Sequence, residues 1–142
     1  CRVLVTETGL RPRSKRADMH RLRDRCVLIV EDESLVGMEI EFAVTDLGAK
    51  SLGPAVSIDE AIRLIEQEGN GIDAAVLDVD LNGEEVFPVA NRLRELGIPF
   101  LFHTGNANLD DLRKEYEGVP ICVKPTPPEK LLEQIRDLLI KE

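Results

Sequence analysis

Residues 26–32 read Cys-Val-Leu-Ile-Val-Glu-Asp (CVLIVED), five apolar residues followed by two acids. A run this short, this apolar and this rich in β-branched side chains fits a strand buried on both faces. Three further segments repeat the design. Residues 74–80 (AAVLDVD) finish in Asp78 and Asp80, residues 99–104 (PFLFHT) in Thr104, and residues 119–125 (VPICVKP) in Lys124 and Pro125. A weaker strand is predicted at Lys50–Leu52, ending at Gly53-Pro54.

Helical spacing fills the gaps. In residues 34–47 the apolar positions are Leu35, Met38, Ile40, Phe42, Val44 and Leu47, and Gly48 stands where a helix stops. Ser57 and Glu60 form a capping-box pair that opens a helix through Glu68. The next helix is predicted over Val86–Leu96, with Pro88 tolerated in its first turn and Gly97 behind it. Two more follow near Leu109–Tyr116 and Pro128–Ile140. Short apolar strands alternating with helices predict an α/β fold, a parallel sheet covered on both faces.

The 142 residues suit one domain, and 43% hydrophobic with 32% charged residues is ordinary for a globular chain. No apolar run approaches the roughly 20 residues of a membrane span, and the first residues lack a secretory layout. Cys1, Cys26 and Cys122 are odd in number and lack metal-ligand spacing, which points to a reducing cytoplasm rather than a disulfide framework. The net charge of −9 is unevenly spread: residues 1–25 hold eight basic and three acidic side chains, leaving −14 on the other 117. An acidic body repels phosphate backbones, which argues against nucleic acid as a direct ligand. Residues 1–24 read as a flexible basic leader and residues 25–142 as the folded domain. Either the leader is an arm that touches an anionic partner, or the native start lies near Met19, the first methionine.

The residues that break the apolar runs carry the chemistry. In an open α/β sheet, ligands bind beyond the carboxyl ends of the strands. Glu31, Asp32, Asp78, Asp80, Thr104 and Lys124 all fall at such ends. Converging carboxylates repel and call for a cation, and an all-oxygen set suits a hard octahedral ion such as Mg²⁺. With that charge offset, one carboxylate is able to attack a phosphoryl group. The bland readings are a strand-end cap at Asp78, a solvated acidic pair at Glu31 and Asp32, and a surface lysine at Lys124. His103, beside Thr104, is expected to be a partly exposed strand-end histidine.

VLIVEDE, LDVDLNG, FHTG and VKP together resemble the signature positions of response-regulator receiver domains, from Cys26 to about Ile140. The resemblance implies a (βα)5 flavodoxin-like sandwich with strand order 2-1-3-4-5 and a cytoplasmic switch that catalyses only its own phosphorylation and dephosphorylation. It implies Mg²⁺ held by Glu31, Asp32, Asp78 and the backbone carbonyl of Asp80. It makes Asp78 the phosphoacceptor, Thr104 the switch hydroxyl, Lys124 the phosphoryl contact and Pro125 its cis-peptide partner. The implied partners are a histidine kinase or phosphotransfer protein, or another response regulator, with no membrane and a monomer or weak dimer. LNGEEVFPVANRLRELGIPFLFHTG resembles more narrowly a proteobacterial subgroup, often stand-alone, that works near HWE-type kinases and carries a Phe-x-Thr-Gly turn. That subgroup favours an aromatic just after the turn, where Asn106 and Ala107 stand here.

Two departures bear on mechanism. Receivers commonly carry an aromatic three residues before the lysine, whereas this chain has Ile121, so output is expected to run through the loop after Thr104 and helix 109–116. Asp80 and Asn106 occupy the positions that flank the attacking water in dephosphorylation, so acyl-phosphate lifetimes should differ between wild type and Asp80→Asn. Two rival readings remain. LDVD also resembles the Asp-x-Asp motif of haloacid-dehalogenase-type phosphohydrolases, but that motif sits on a first strand and needs a cap for which the chain has no room. The other is a receiver-fold interaction module that acts without phosphorylation. No effector domain follows the last helix, so the chain either acts alone or has been separated from one.

Overall fold

The computed structural model describes residues 22–105 and 109–140. Five strands, β1 (Cys26–Val30), β2 (Lys50–Ala55), β3 (Ala74–Leu77), β4 (Phe100–Thr104) and β5 (Ile121–Val123), form one parallel sheet of order 2-1-3-4-5. The helices are α1 (Ser34–Asp46), α2 (Ile58–Glu68), α3 (Phe87–Glu95), α4 (Leu109–Glu115) and α5 (Pro128–Ile140). The expected flavodoxin-like arrangement is therefore present.

Alternation along each strand sorts the core into two layers. Leu28, Val30, Ala75, Leu77, Phe100 and Phe102 point to the side covered by α2, α3 and α4. Val27, Ile29, Ala74, Val76 and Leu101 point to the side covered by α1 and α5. The fold also reaches further back than the Asp24 boundary drawn from sequence. Leu22 is fully buried in the second layer, a single apolar residue among charges that carries no periodicity. The rest of the leader lies outside the described residues.

Local chemistry accounts for the ends. The Ser57 hydroxyl accepts from the Glu60 N–H at 3.1 Å, and Glu60 reaches back to the Val56 N–H at 3.0 Å, so α2 starts as its sequence indicates. β2 does not stop at Gly53-Pro54. Pairing slips between Leu28 and Val30 and resumes at Ala55, which an edge strand tolerates. Only glycine fits at 53, because φ is +98° and a Cβ would lie 2.6 Å from the Ile29 carbonyl.

Apolar spacing overstated how much of α1 is covered. Gly37, Ile40 and Val44 are its buried residues, whereas Leu35, Met38 and Phe42 face outward. A small antiparallel ribbon, Asp80–Leu81 against Glu84–Glu85, was also not anticipated. Asn82 (φ +54°) and Gly83 (φ +90°) make its turn, and Asn-Gly is the strongest short hairpin signal a sequence carries.

Candidate functional site

The chain crosses from one side of the sheet to the other between β1 and β3, and the polar residues gather at the carboxyl ends of the strands there. Asp32, Asp78, Asp80, Thr104 and Lys124 line one cleft, joined by Glu33. Strand register brings them together. The Asp78 N–H donates to the Val30 carbonyl at 2.9 Å, seating Asp78 beside Glu31. Thr104 pairs with Val123, and the Lys124 N–H donates to the Thr104 carbonyl at 2.9 Å. The Lys124–Pro125 peptide is cis.

Lys124 is the electrostatic centre. Its ammonium donates to Asp78 Oδ2 at 3.3 Å, Glu31 Oε2 at 3.2 Å and Glu33 Oε1 at 2.8 Å. Burial alone would lower its pKa; the Glu33, Asp78 and Glu31 carboxylates outweigh that and push it upward. Asp78 is pushed up to about 8, first by burial, then by its contact with Glu31 and that group's charge, against the pull of Lys124. Two buried carboxylates therefore face each other with less positive charge than they need.

Oxygens of Glu31, Glu33 and Asp78 lie within 4.8 Å of one another, a cluster that could hold a metal ion. Crowded carboxylates, one of them reluctant to ionise, are the donor set a hard divalent cation fits. Glu33 was not singled out from sequence, since an exposed acid opening a helix looks like a solvated charge. Asp32 is at the cleft, but its Oδ2 accepts the Asn82 N–H at 2.9 Å and so ties down the ribbon turn. The Asp80 carboxylate likewise accepts the Gly83 N–H at 2.9 Å, while its own N–H donates to Asp78 Oδ1 at 3.3 Å.

Ile121 is half-buried and packs against the α2/α3/α4 layer. Asn106 lies outside the described residues. A different aromatic closes the cleft. Phe87 lines it, and its ring stacks on Tyr116 with centroids 5.4 Å apart. The Tyr116 hydroxyl donates to Asn91 Oδ1 at 2.9 Å.

His103 is buried, 3% exposed, and not at a partly exposed strand end as expected. It is an interior position of the sheet, paired with Cys122 on β5. Among the described residues neither ring nitrogen makes a hydrogen bond; Nδ1 lies 4.0 Å from Glu31 Oε1. Burial first, and the Lys124 charge second, lower its pKa from 6.5 to about 4. The folded state thus favours the neutral ring. Its contribution to stability is whole above pH 6.5 and is lost as pH falls toward 4, a difference of about 3 kcal/mol. Asp78, its pKa raised from 3.8 to about 8, works oppositely throughout this range, so the comparison must be with a variant. Urea denaturation should find His103→Leu gaining on wild type between pH 7 and pH 5; parallel curves would contradict the burial.

No family model matches the chain. Similarity to individual proteins is clear. The uncharacterized transcriptional regulatory protein YbdJ of Bacillus subtilis (strain 168) is 26% identical over 116 residues, 80% of this chain and 50% of its own. The chain thus spans half the length of that curated relative. The response regulator PhyR from Brucella abortus superposes with a TM-score of 0.73 at 29% identity, covering 88% of this chain and 51% of PhyR. SdrG from Pseudomonas melonis Fr1, solved in its BeF3-activated conformation, is 34% identical with a TM-score of 0.66. That match covers 82% of this chain and 98% of SdrG. Sheet order and relatives agree, and the chain belongs to the response-regulator receiver family.

Proposed function

We propose that the chain is a phosphorylation switch. It takes a phosphoryl group onto Asp78 from a histidine kinase or phosphotransfer protein in a Mg²⁺-dependent reaction, and partner binding changes as a result. The fold is that of a signalling regulator rather than a classical enzyme. The observation that carries the reading is the Lys124 ammonium 3.3 Å from a buried Asp78, with Thr104 lining the same cleft.

In the transfer, an Asp78 oxygen bonds to phosphorus as the P–N bond of a donor phosphohistidine breaks, and the electron pair stays on the imidazole nitrogen. Lys124 offsets charge on the phosphoryl oxygens. Glu31, Asp32, Asp78 and the Asp80 carbonyl are the expected Mg²⁺ ligands, and Glu33 joins them as a candidate. When bound, the ion neutralises charge on the transferring group. Thr104 donates its hydroxyl to a phosphoryl oxygen, drawing in the loop that follows. Phe87 and Leu112 line the cleft beside Thr104, and Phe87 stacks on Tyr116 at the end of α4. That contact offers a route to α4 which does not need an aromatic at Ile121.

Incubation with acetyl phosphate should load one phosphoryl group per chain, while a phosphate ester such as p-nitrophenyl phosphate is not turned over. Sustained ester hydrolysis would favour the phosphohydrolase reading instead. Ile121 is the observation that favours an interaction module acting without phosphorylation; on that reading Asp78→Ala would bind partners undiminished. No helix among the described residues is long and apolar enough to cross a membrane.

A further inference from the structure

α1 carries an apolar stripe that nothing in the described fold covers. Leu35, Met38 and Phe42 are 69%, 60% and 73% exposed and follow one another at i, i+3 and i+7. With Pro128 and Leu132 of α5 they form the floor of a groove. Its rim is acidic: Glu39, Glu41, Asp46, Glu129 and Glu133, with no basic side chain lining it among the described residues. Exposed apolar surface of this kind, rimmed by charge, marks a binding site.

Charge decides the occupant. A second copy laid groove to groove would set five carboxylates against five, which repels. An occupant needs apolar anchors and positive flanks. Residues 1–21 have both: the triplet Val3-Leu4-Val5 with Leu10, and six basic side chains against two acids, Glu7 and Asp18. The segment also begins at the right place. It enters the described fold at Leu22, buried with Val44 and Leu132 on the α1/α5 side. The Asp24 N–H donates to the Gly48 carbonyl at 3.0 Å, one residue beyond groove-lining Leu47. α1 is 13 residues, about 20 Å long, well within reach of a 21-residue segment.

We propose that residues 1–21 dock in cis into the α1/α5 groove, apolar residues on the stripe and basic residues on the acidic rim. The leader's anionic partner is then its own receiver domain, and any outside protein that uses this face must displace it. Mass action favours the tethered segment over a free one.

The chain holds two methionines, Met19 and Met38, which makes the groove easy to watch. The full chain carrying Cys26→Ser and Cys122→Ser takes a nitroxide at Cys1, with ¹³C-labelled methionine methyls. At low protein concentration the Met38 methyl signal should lose more than half its intensity, and reducing the nitroxide should restore it. Charge reversal at Arg11, Arg13 and Arg16 to Glu should recover most of the signal. An unaffected Met38 would overturn the proposal. So would broadening seen only when spin-labelled and methyl-labelled chains are mixed, which would mean that another copy supplies the segment. If the cysteine variants misfold, the charge-reversed chain with natural cysteines serves. Its Met38 shift must differ from wild type, and an identical shift overturns the docking.

Discussion

Replacing Lys124 with methionine should slow phosphoryl uptake from acetyl phosphate roughly 100- to 1,000-fold, the usual loss when one fixed charge-stabilising donor is removed from a reaction centre. Lys124 touches Glu31, Glu33 and Asp78 at once, so its removal also leaves buried carboxylates without their cation. Breaking a buried ion pair from one side costs about 3–5 kcal/mol. That cost should be larger near pH 9 than near pH 6, because Asp78, its pKa pushed up to about 8 even with Lys124 beside it, keeps its proton at the lower pH and has no charge to leave unpaired. Urea denaturation at the two pH values, with uptake measured in parallel, separates the kinetic loss from the loss of fold. A variant that melts normally and is phosphorylated at the wild-type rate would remove Lys124 from the mechanism.

Tyr116→Ala should cost about 3–5 kcal/mol, as large-to-small changes of buried rings do. Tyr116 is 1% exposed, lies 5.1 Å from Phe102 and 5.4 Å from Phe87 between ring centroids, and carries the Arg94 guanidinium 4.6 Å above its ring. Tyr116→Phe keeps the ring and loses only the bond to Asn91, a cost of about 1 kcal/mol. The midpoint of urea unfolding should order the three proteins, with an unchanged slope. If alanine and phenylalanine cost the same, the stack contributes nothing and the hydroxyl everything. That result would also undercut the proposed link from Phe87 to α4.

The sheet was legible because a strand buried on both faces must be apolar, and an acid, hydroxyl or lysine that ends such a strand is conspicuous. Asp78, Thr104 and Lys124 stood out for that reason. Residues whose role depends on distant partners did not. Glu33 reads as an ordinary surface acid until folding sets its carboxylate 2.8 Å from Lys124, 91 positions away. His103 reads as a strand-end residue because sequence does not reveal that β5 continues beside it. Asn82-Gly83 was a readable turn signal, but the two-residue strands on either side of it, Asp80–Leu81 and Glu84–Glu85, are too short and too acidic to show the apolar alternation of a hairpin. In α1 the apolar residues outnumber those a single buried face accommodates. Periodicity reports a helix but not which of its two apolar stripes meets the core.

Intact mass after incubation with acetyl phosphate, with and without Mg²⁺, tests the central claim most directly when wild type is run beside Asp78→Ala. The wild type should gain the mass of one phosphoryl group only when Mg²⁺ is present, and Asp78→Ala should gain none. An equal gain in the mutant, or a gain indifferent to the metal, would contradict the assignment of Asp78 as the acceptor in a carboxylate-held Mg²⁺ site.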